Sequence, residues 1–161
     1  MDFNDTNEEA TFRQEVRSWL SENVPGEAEL KGLDYIATAK LWQKRKFDAG
    51  WACIRWPKEH GGRGATAIEG VIFGQEESKF DTPDNIFGIG HGMCAPTMMS
   101  WATEDQCKQY LPRLASGEDI WCQLFSEPAG GSDLAALRTS AVKDGDDWII
   151  NGQKIWTRSE E

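Results

Sequence analysis

Apolar and polar positions along this chain follow two different rhythms. In the first, Phe12, Val16, Trp19 and Leu20 recur at spacings of three and four, which lays one apolar stripe along a helix. Thr6 and Glu9 ahead of it have the pattern of a capping box, and Pro25-Gly26 stops the element. A second helix is predicted over residues 36–49, with Leu41, Trp42 and Phe47 apolar and Gly50 as its cap. The stretch WPKEHGGRG (residues 56–64) reads as a loop. A third helix is predicted over 65–80, with a break at Thr82-Pro83. Residues 86–102 are apolar, small and rich in Met, the pattern of a buried central helix in which Met93, Met98 and Met99 fill the core. Thr103 and Gln106 form another capping box, starting a helix that runs toward Leu114 and ends at Gly117.

The rhythm changes at Ile120. Residues 120–125 and 137–142 read as strands, with a turn at Asp144-Gly145. Residues 148–150 and 154–156 flank Asn151-Gly152, a strong two-residue hairpin signal. The predicted fold is therefore mainly α with a β segment. Residues 1–118 form an N-terminal α-helical bundle, and 119–161 supply the first strands of an incomplete β-barrel domain. A sheet left there has an open edge, so the chain reads as the front part of something longer.

Composition narrows the function classes. The chain has 161 residues, 39% of them hydrophobic and 27% charged, which suits a soluble globular protein with a real core. A formal charge of −10 argues against nucleic-acid binding and against attraction to anionic membranes. No apolar run reaches membrane-spanning length, and the acidic N-terminus resembles neither a secretory signal nor a transit peptide, so a cytoplasmic location is expected. Cys53, Cys94, Cys107 and Cys122 lack CxxC spacing, and with His60 and His91 they complete no metal pattern; free, mostly buried thiols are expected. Eight Trp residues are many for this length and suit a bundle that packs against something. Lys44-Arg45-Lys46 reads as a solvated basic face near a helix end rather than a phosphate site.

The most specific chemistry lies in SEPAGGSD, residues 126–133. This polar turn follows an apolar run, and Gly130 and Gly131 permit positive φ and close backbone approach. Ser126 and Ser132 each donate and accept, so the turn can meet the edge of a flat polar ligand such as a flavin. An ordinary glycine-rich turn explains the same spacing equally well. Glu127 reads as a turn cap or a lysine partner rather than a catalytic acid, and Asp133 as a turn residue. Trp156 suits either core packing or stacking on a ring system, and His91 has no partner in view. Neither a GxGxxG fingerprint after a strand nor a GxxxxGK[ST] loop occurs.

QLFSEPAGGSDLA followed by DGDDWIINGQKIWT resembles the middle region of the acyl-CoA dehydrogenases, FAD enzymes that desaturate acyl thioesters. Residues 35–50, WPKEHGGRG and residues 104–118 are similar to that family's N-terminal helical domain. The resemblance implies FAD contacts at Gln123, Phe125, Ser126, Gly131, Ser132, Trp156, Thr157 and Arg158, with Ser132 also touching the acyl-CoA substrate. It further implies an electron-transfer flavoprotein as electron acceptor and a homo- or hetero-oligomeric full-length enzyme. Leu124-Phe125 and Arg158 depart from the usual family pattern, which prefers smaller or aliphatic residues at the first and a small hydroxyl residue at the second. The family's glutamate base has no counterpart in the chain, so no catalytic residue is assigned and the chain alone is expected to be catalytically incomplete. The alternative is a non-catalytic remnant, or a helical domain whose role is oligomer or partner contact.

Overall fold

Three threonines set three helix starts. In the computed structural model, which describes residues 4–156, α1 (Asn7–Asn23) begins where the Thr6 hydroxyl accepts from Glu9 N at 3.2 Å. The Glu9 carboxylate returns the bond, accepting from Thr6 N at 2.7 Å. Thr66 with Glu69 opens α4 (Ala67–Glu77) the same way, and Thr103 with Gln106 opens α6 (Glu104–Ser116). The short α2 (Glu27–Leu30) and α3 (Tyr35–Asp48), capped by Asp34, lie between the first two boxes. Gly117 ends α6 at φ 77°, the left-handed conformation that a side chain would strain.

The chain divides into two compact units, one through Ile120 and one from Trp121 onward. The helical unit packs α1 against α4 and α3 against α6. Its core joins Val16, Leu20, Trp42, Trp51, Ile54 and Phe73, with Phe12 and Trp19 against it. Trp19 stacks on Trp42 at 5.4 Å and Trp51 on Phe73 at 5.7 Å, while the Arg63 guanidinium lies 3.8 Å above the Trp51 ring.

Charge is also buried here. Glu76 is fully enclosed and accepts from Arg13 (2.9 Å), Arg17 (3.0 Å) and Lys79 (2.7 Å). Those cations, Arg17 foremost, hold its carboxyl down at about 2 despite burial. Glu77 beside it pairs with Lys46 at 2.9 Å and accepts from Trp42 Nε1 at 3.0 Å. The C-terminal end of α4 is thereby tied to α1 and α3. Lys46 is buried, which corrects the expected solvated face; only Lys44 and Arg45, paired with Asp48 and Glu29, keep to the surface pattern.

Residues 86–102 depart further from expectation. Gly90–Cys94 forms a π-helical turn that runs into α5 (Ala95–Trp101). Only Phe87, Gly90 and Ala95 are buried, while Met93 is 44% and Trp101 86% exposed. Composition reported that this helix can be buried; among the described residues, one of its faces has nothing packed on it. Met93 is therefore not core filler.

The second unit contains one hairpin, β1 (Ser140–Asp144) paired antiparallel with β2 (Asp147–Asn151), from Ser140↔Asn151 to Asp144↔Asp147. Its two-residue turn is Gly145-Asp146, with Gly145 at φ 62°. Asn151-Gly152 is not a turn between strands: Asn151 ends β2, and a Cβ on Gly152 would overlap the Thr139 side chain. Residues 120–125 form no regular strand among the described residues, and a 3₁₀ turn over Leu134–Ala136 delays β1 until Ser140. No helix among the described residues is long and apolar enough to cross a membrane.

Candidate functional site

The SEPAGGSD turn closes on itself before it meets anything else. Glu127 N donates to Gly130 O at 2.8 Å, and Gly130 N returns a bond to Glu127 O at 3.1 Å. Neither Gly130 nor Gly131 has positive φ, contrary to the conformational role read for them. Gly130 sits in a tight space instead: a Cβ there would lie 3.3 Å from Asp133 O and 3.4 Å from the Ala136 carbonyl carbon, close enough that the neighbouring backbone would have to give slightly. Gly131 is exposed, and a Cβ there would meet nothing within 4 Å. Asp133 serves as a turn residue, its carbonyl accepting from Ala136 N at 3.1 Å.

Two further segments converge on this turn. Ile155 N donates to Ser126 O at 3.0 Å, and Lys154 Nζ donates to Phe125 O at 3.1 Å. The Lys154–Trp156 segment thus lies beside residues 125–126 instead of pairing with β2. Glu127, 5% exposed, reads both ways that its sequence context allowed. Its carboxylate accepts from Arg138 N (2.6 Å) and Thr139 N (3.0 Å), and it pairs with Lys154 Nζ (2.9 Å). The Thr139 side chain first, then the Arg138 amide and the Lys154 ammonium, hold its carboxyl down at about 2.

Around this junction the predicted contact residues take distinct places. Ser126 and Gln123 are half-buried, and Ser132 is exposed. Phe125 is 53% and Trp156 76% exposed, so both rings keep open surface. Trp156 is therefore not core, and its φ of 63° is a conformation bulky residues seldom adopt without a local demand. Thr157 and Arg158 lie outside the described residues. Hydroxyls, a carboxamide and two open aromatic faces on neighbouring backbone form a donor set suited to a flat, hydrogen-bonding ring.

The helical unit holds a separate hollow of about 590 Å³, with Arg55, Trp56, Phe73, Asn85, His91 and Met99 in its lining. His91 is a structural residue. Its Nε2 donates to Leu114 O at 2.7 Å, and its ring stacks on Phe87 and meets Trp56 edge-on. Burial lowers its pKa, keeping the imidazole neutral. The same burial pushes the Cys53 thiol up to about 12, which leaves it unreactive. The described cysteines form no disulfide, but only Cys107 is buried and Cys122 is exposed, against the expectation of mostly buried thiols. Sequence reasoning missed Glu76 and the hollow, whose parts come from segments far apart in the chain.

Comparison with known proteins bears on the chain as a whole. The family model for the acyl-CoA dehydrogenase N-terminal domain matches residues 6–118. Acyl-CoA dehydrogenase IpdE1 of Mycobacterium tuberculosis is 42% identical over 154 residues, an overlap covering 91% of this chain and 40% of that protein. The crystal structure of the ChsE4-ChsE5 complex from Mycobacterium tuberculosis superposes with a TM-score of 0.74 at 34% identity, over 98% of this chain and 40% of that one. The Tcur3481-Tcur3483 steroid ACAD gives a TM-score of 0.74 at 31% identity, covering 98% and 41%. The chain spans about 40% of the length of curated relatives it matches.

Proposed function

Since the chain belongs to the acyl-CoA dehydrogenase family, we propose that Gln123, Phe125, Ser126, Gly131, Ser132 and Trp156, continued by Thr157 and Arg158, form one wall of an FAD site. There an acyl-CoA thioester would be desaturated between its α and β carbons, with Ser132 also touching the substrate. The observation that carries this reading is the convergence of two segments far apart in sequence. The Ile155–Ser126 bond sets the Trp156 segment directly beside the SEPAGGSD turn, with the Phe125 and Trp156 rings open. Bound FAD supplies the hydride acceptor. This chain's residues supply hydrogen bonds to the ring edge and a face for stacking. The base that removes the α-proton falls, on this reading, outside residues 1–161. Electrons would pass on to an electron-transfer flavoprotein.

Titrating the chain with FAD tests the reading. Quenched flavin fluorescence and a protein-bound visible band are expected, and a chain that stays colourless after reconstitution refutes the wall. Turnover of an acyl-CoA with an artificial acceptor by this chain alone would refute the placement of the base. Steroid and straight-chain thioesters are the substrates to compare, since a similar structure is of a steroid ACAD.

A second reading rests on the helical unit, where Ile68, Val71, Met93 and Trp101 are all 44% exposed or more. Such apolar surface suits association with another chain, and the ChsE4-ChsE5 neighbour is itself a complex. We propose that the full-length protein is a homo- or hetero-oligomer. Light scattering that gives only monomer at all concentrations would count against it.

A further inference from the structure

Among the described residues, the segments proposed above as a flavin wall show little apolar burial. In the described part of the second unit, only Glu127 and Gly130 are buried. Both strands of the hairpin are exposed along their whole length. Among the described residues, directed polar bonds link the segments that carry Ser126 and Trp156, and Glu127 is a side chain on which three of them meet.

Its partners come from three places. The backbone of Glu127 closes the turn with Gly130, while its side chain reaches across to Arg138 N and Thr139 N just before β1. Lys154 Nζ then bridges the same carboxylate (2.9 Å) and Phe125 O (3.1 Å), anchoring the segment that carries Ile155 and Trp156. A carboxylate removed from water is costly unless its lone pairs are satisfied; here two backbone N–H groups and an ammonium satisfy them. The glycines make the closure possible. Gly130 lets the turn approach Asp133 and Ala136, and Gly152 lets the chain pass the Thr139 side chain on its way to Lys154.

Resting on the flavin reading, we propose that Glu127 is the positioning residue of this wall: it touches no ligand, but clamps the 126–133 turn, the 138–139 backbone and Lys154 so that Ser126 and Trp156 present themselves together. Glu127 is 5% exposed and its carboxylate is bonded to Arg138 N, Thr139 N and Lys154, so its removal acts through the segments it holds. The clamp differs from a general fold requirement because the helical unit has its own core and its own charge cluster.

Two variants of the 161-residue chain test this, Glu127→Gln and Lys154→Met. Far-UV circular dichroism first verifies that the helices are intact. Amide hydrogen exchange is then read at Arg138, Thr139 and Ile155, with Leu20 and Leu111 as references in the helical unit. Glu127→Gln is expected to speed exchange at the first three by about tenfold or more and leave the references unchanged, since bonds to a charged acceptor are lost. It is also expected to weaken FAD binding by about tenfold and to shift the visible band of the FAD that still binds. Lys154→Met keeps both amide bonds and is expected to free Ile155 but spare Arg138 and Thr139. Unchanged exchange in Glu127→Gln overturns the clamp. Faster exchange with the affinity and band of the unmodified chain overturns the positioning role. If the unmodified chain binds no FAD, the flavin reading itself falls and takes the positioning role with it. That outcome is distinct, because it appears before any substitution is made.

Discussion

The two units of this chain hold their shape by opposite means. In the helical unit, fully enclosed side chains such as Val16, Leu20, Leu111 and Ala115 exclude water, and capping boxes finish the helix ends. The second unit exposes nearly every apolar side chain it has, including Val142, Trp148 and Ile150. What organises its described residues is polar: one carboxylate and the backbone groups it gathers. A hairpin with both faces open is marginal by itself. The contrast teaches that one chain can combine a region that specifies itself through burial with a region whose geometry depends on a few directed bonds.

Three substitutions would break or sharpen this contrast. Leu20→Ala removes a fully buried side chain from the aromatic core and is expected to cost the helical unit about 3 kcal/mol. Chemical denaturation checks this, with the β1–β2 amide shifts unchanged in native buffer. Glu76→Gln leaves Arg13, Arg17 and Lys79 without their carboxylate. Two of those cations are about half exposed, so solvent reduces the loss to about 1–2 kcal/mol. The pH dependence follows from sign. The folded carboxyl titrates at about 2, below its ordinary 4.5, so the unfolded chain binds the proton first. Its contribution is complete above pH 4.5 and disappears as pH falls toward 2. A denaturation series across that range should lose slope in Glu76→Gln; an unchanged slope would mean the cluster does not stabilise the helices. Trp156→Ala sits at the other extreme. With its ring 76% exposed, it should alter stability by under about 0.5 kcal/mol, while FAD retention drops. Retention equal to the unmodified chain would remove Trp156 from the wall.

How much of this was legible depended on how far apart the partners sit. Thr6–Glu9 and Thr103–Gln106 were readable because both halves of each box lie within one turn of helix. Thr66–Glu69 uses the same code and was passed over inside a longer predicted helix. The Glu76 cluster was not readable at all, since Arg13 and Arg17 are brought to it by the packing of α1 on α4. In the second unit both Asp144-Gly145 and Asn151-Gly152 carried turn chemistry. The strand pairing selected the first, and Gly152 serves instead to pass close to Thr139. The lysine partner of Glu127 was foreseen as a type of contact, but not its double grip on backbone amides eleven and twelve residues away. Buried and half-exposed helices also share a composition, so residues 86–102 could not disclose which face lacked a neighbour.

The tryptophans give the molecule a built-in optical division. Trp19 lies within 6 Å of both Trp42 and Trp51, close enough to exchange excitation energy with each, so light absorbed by one is shared among all three. Trp42 and Trp51 are shielded from water and emit toward the blue, whereas Trp148 and Trp156 face solvent and emit toward the red. Depolarised blue emission therefore reports the integrity of the helical core. Trp101 of the helical unit is also open to solvent, so once that ring is replaced, quenching of the red edge by iodide, or energy transfer from it to a flavin, reports the other unit with no dye attached to either.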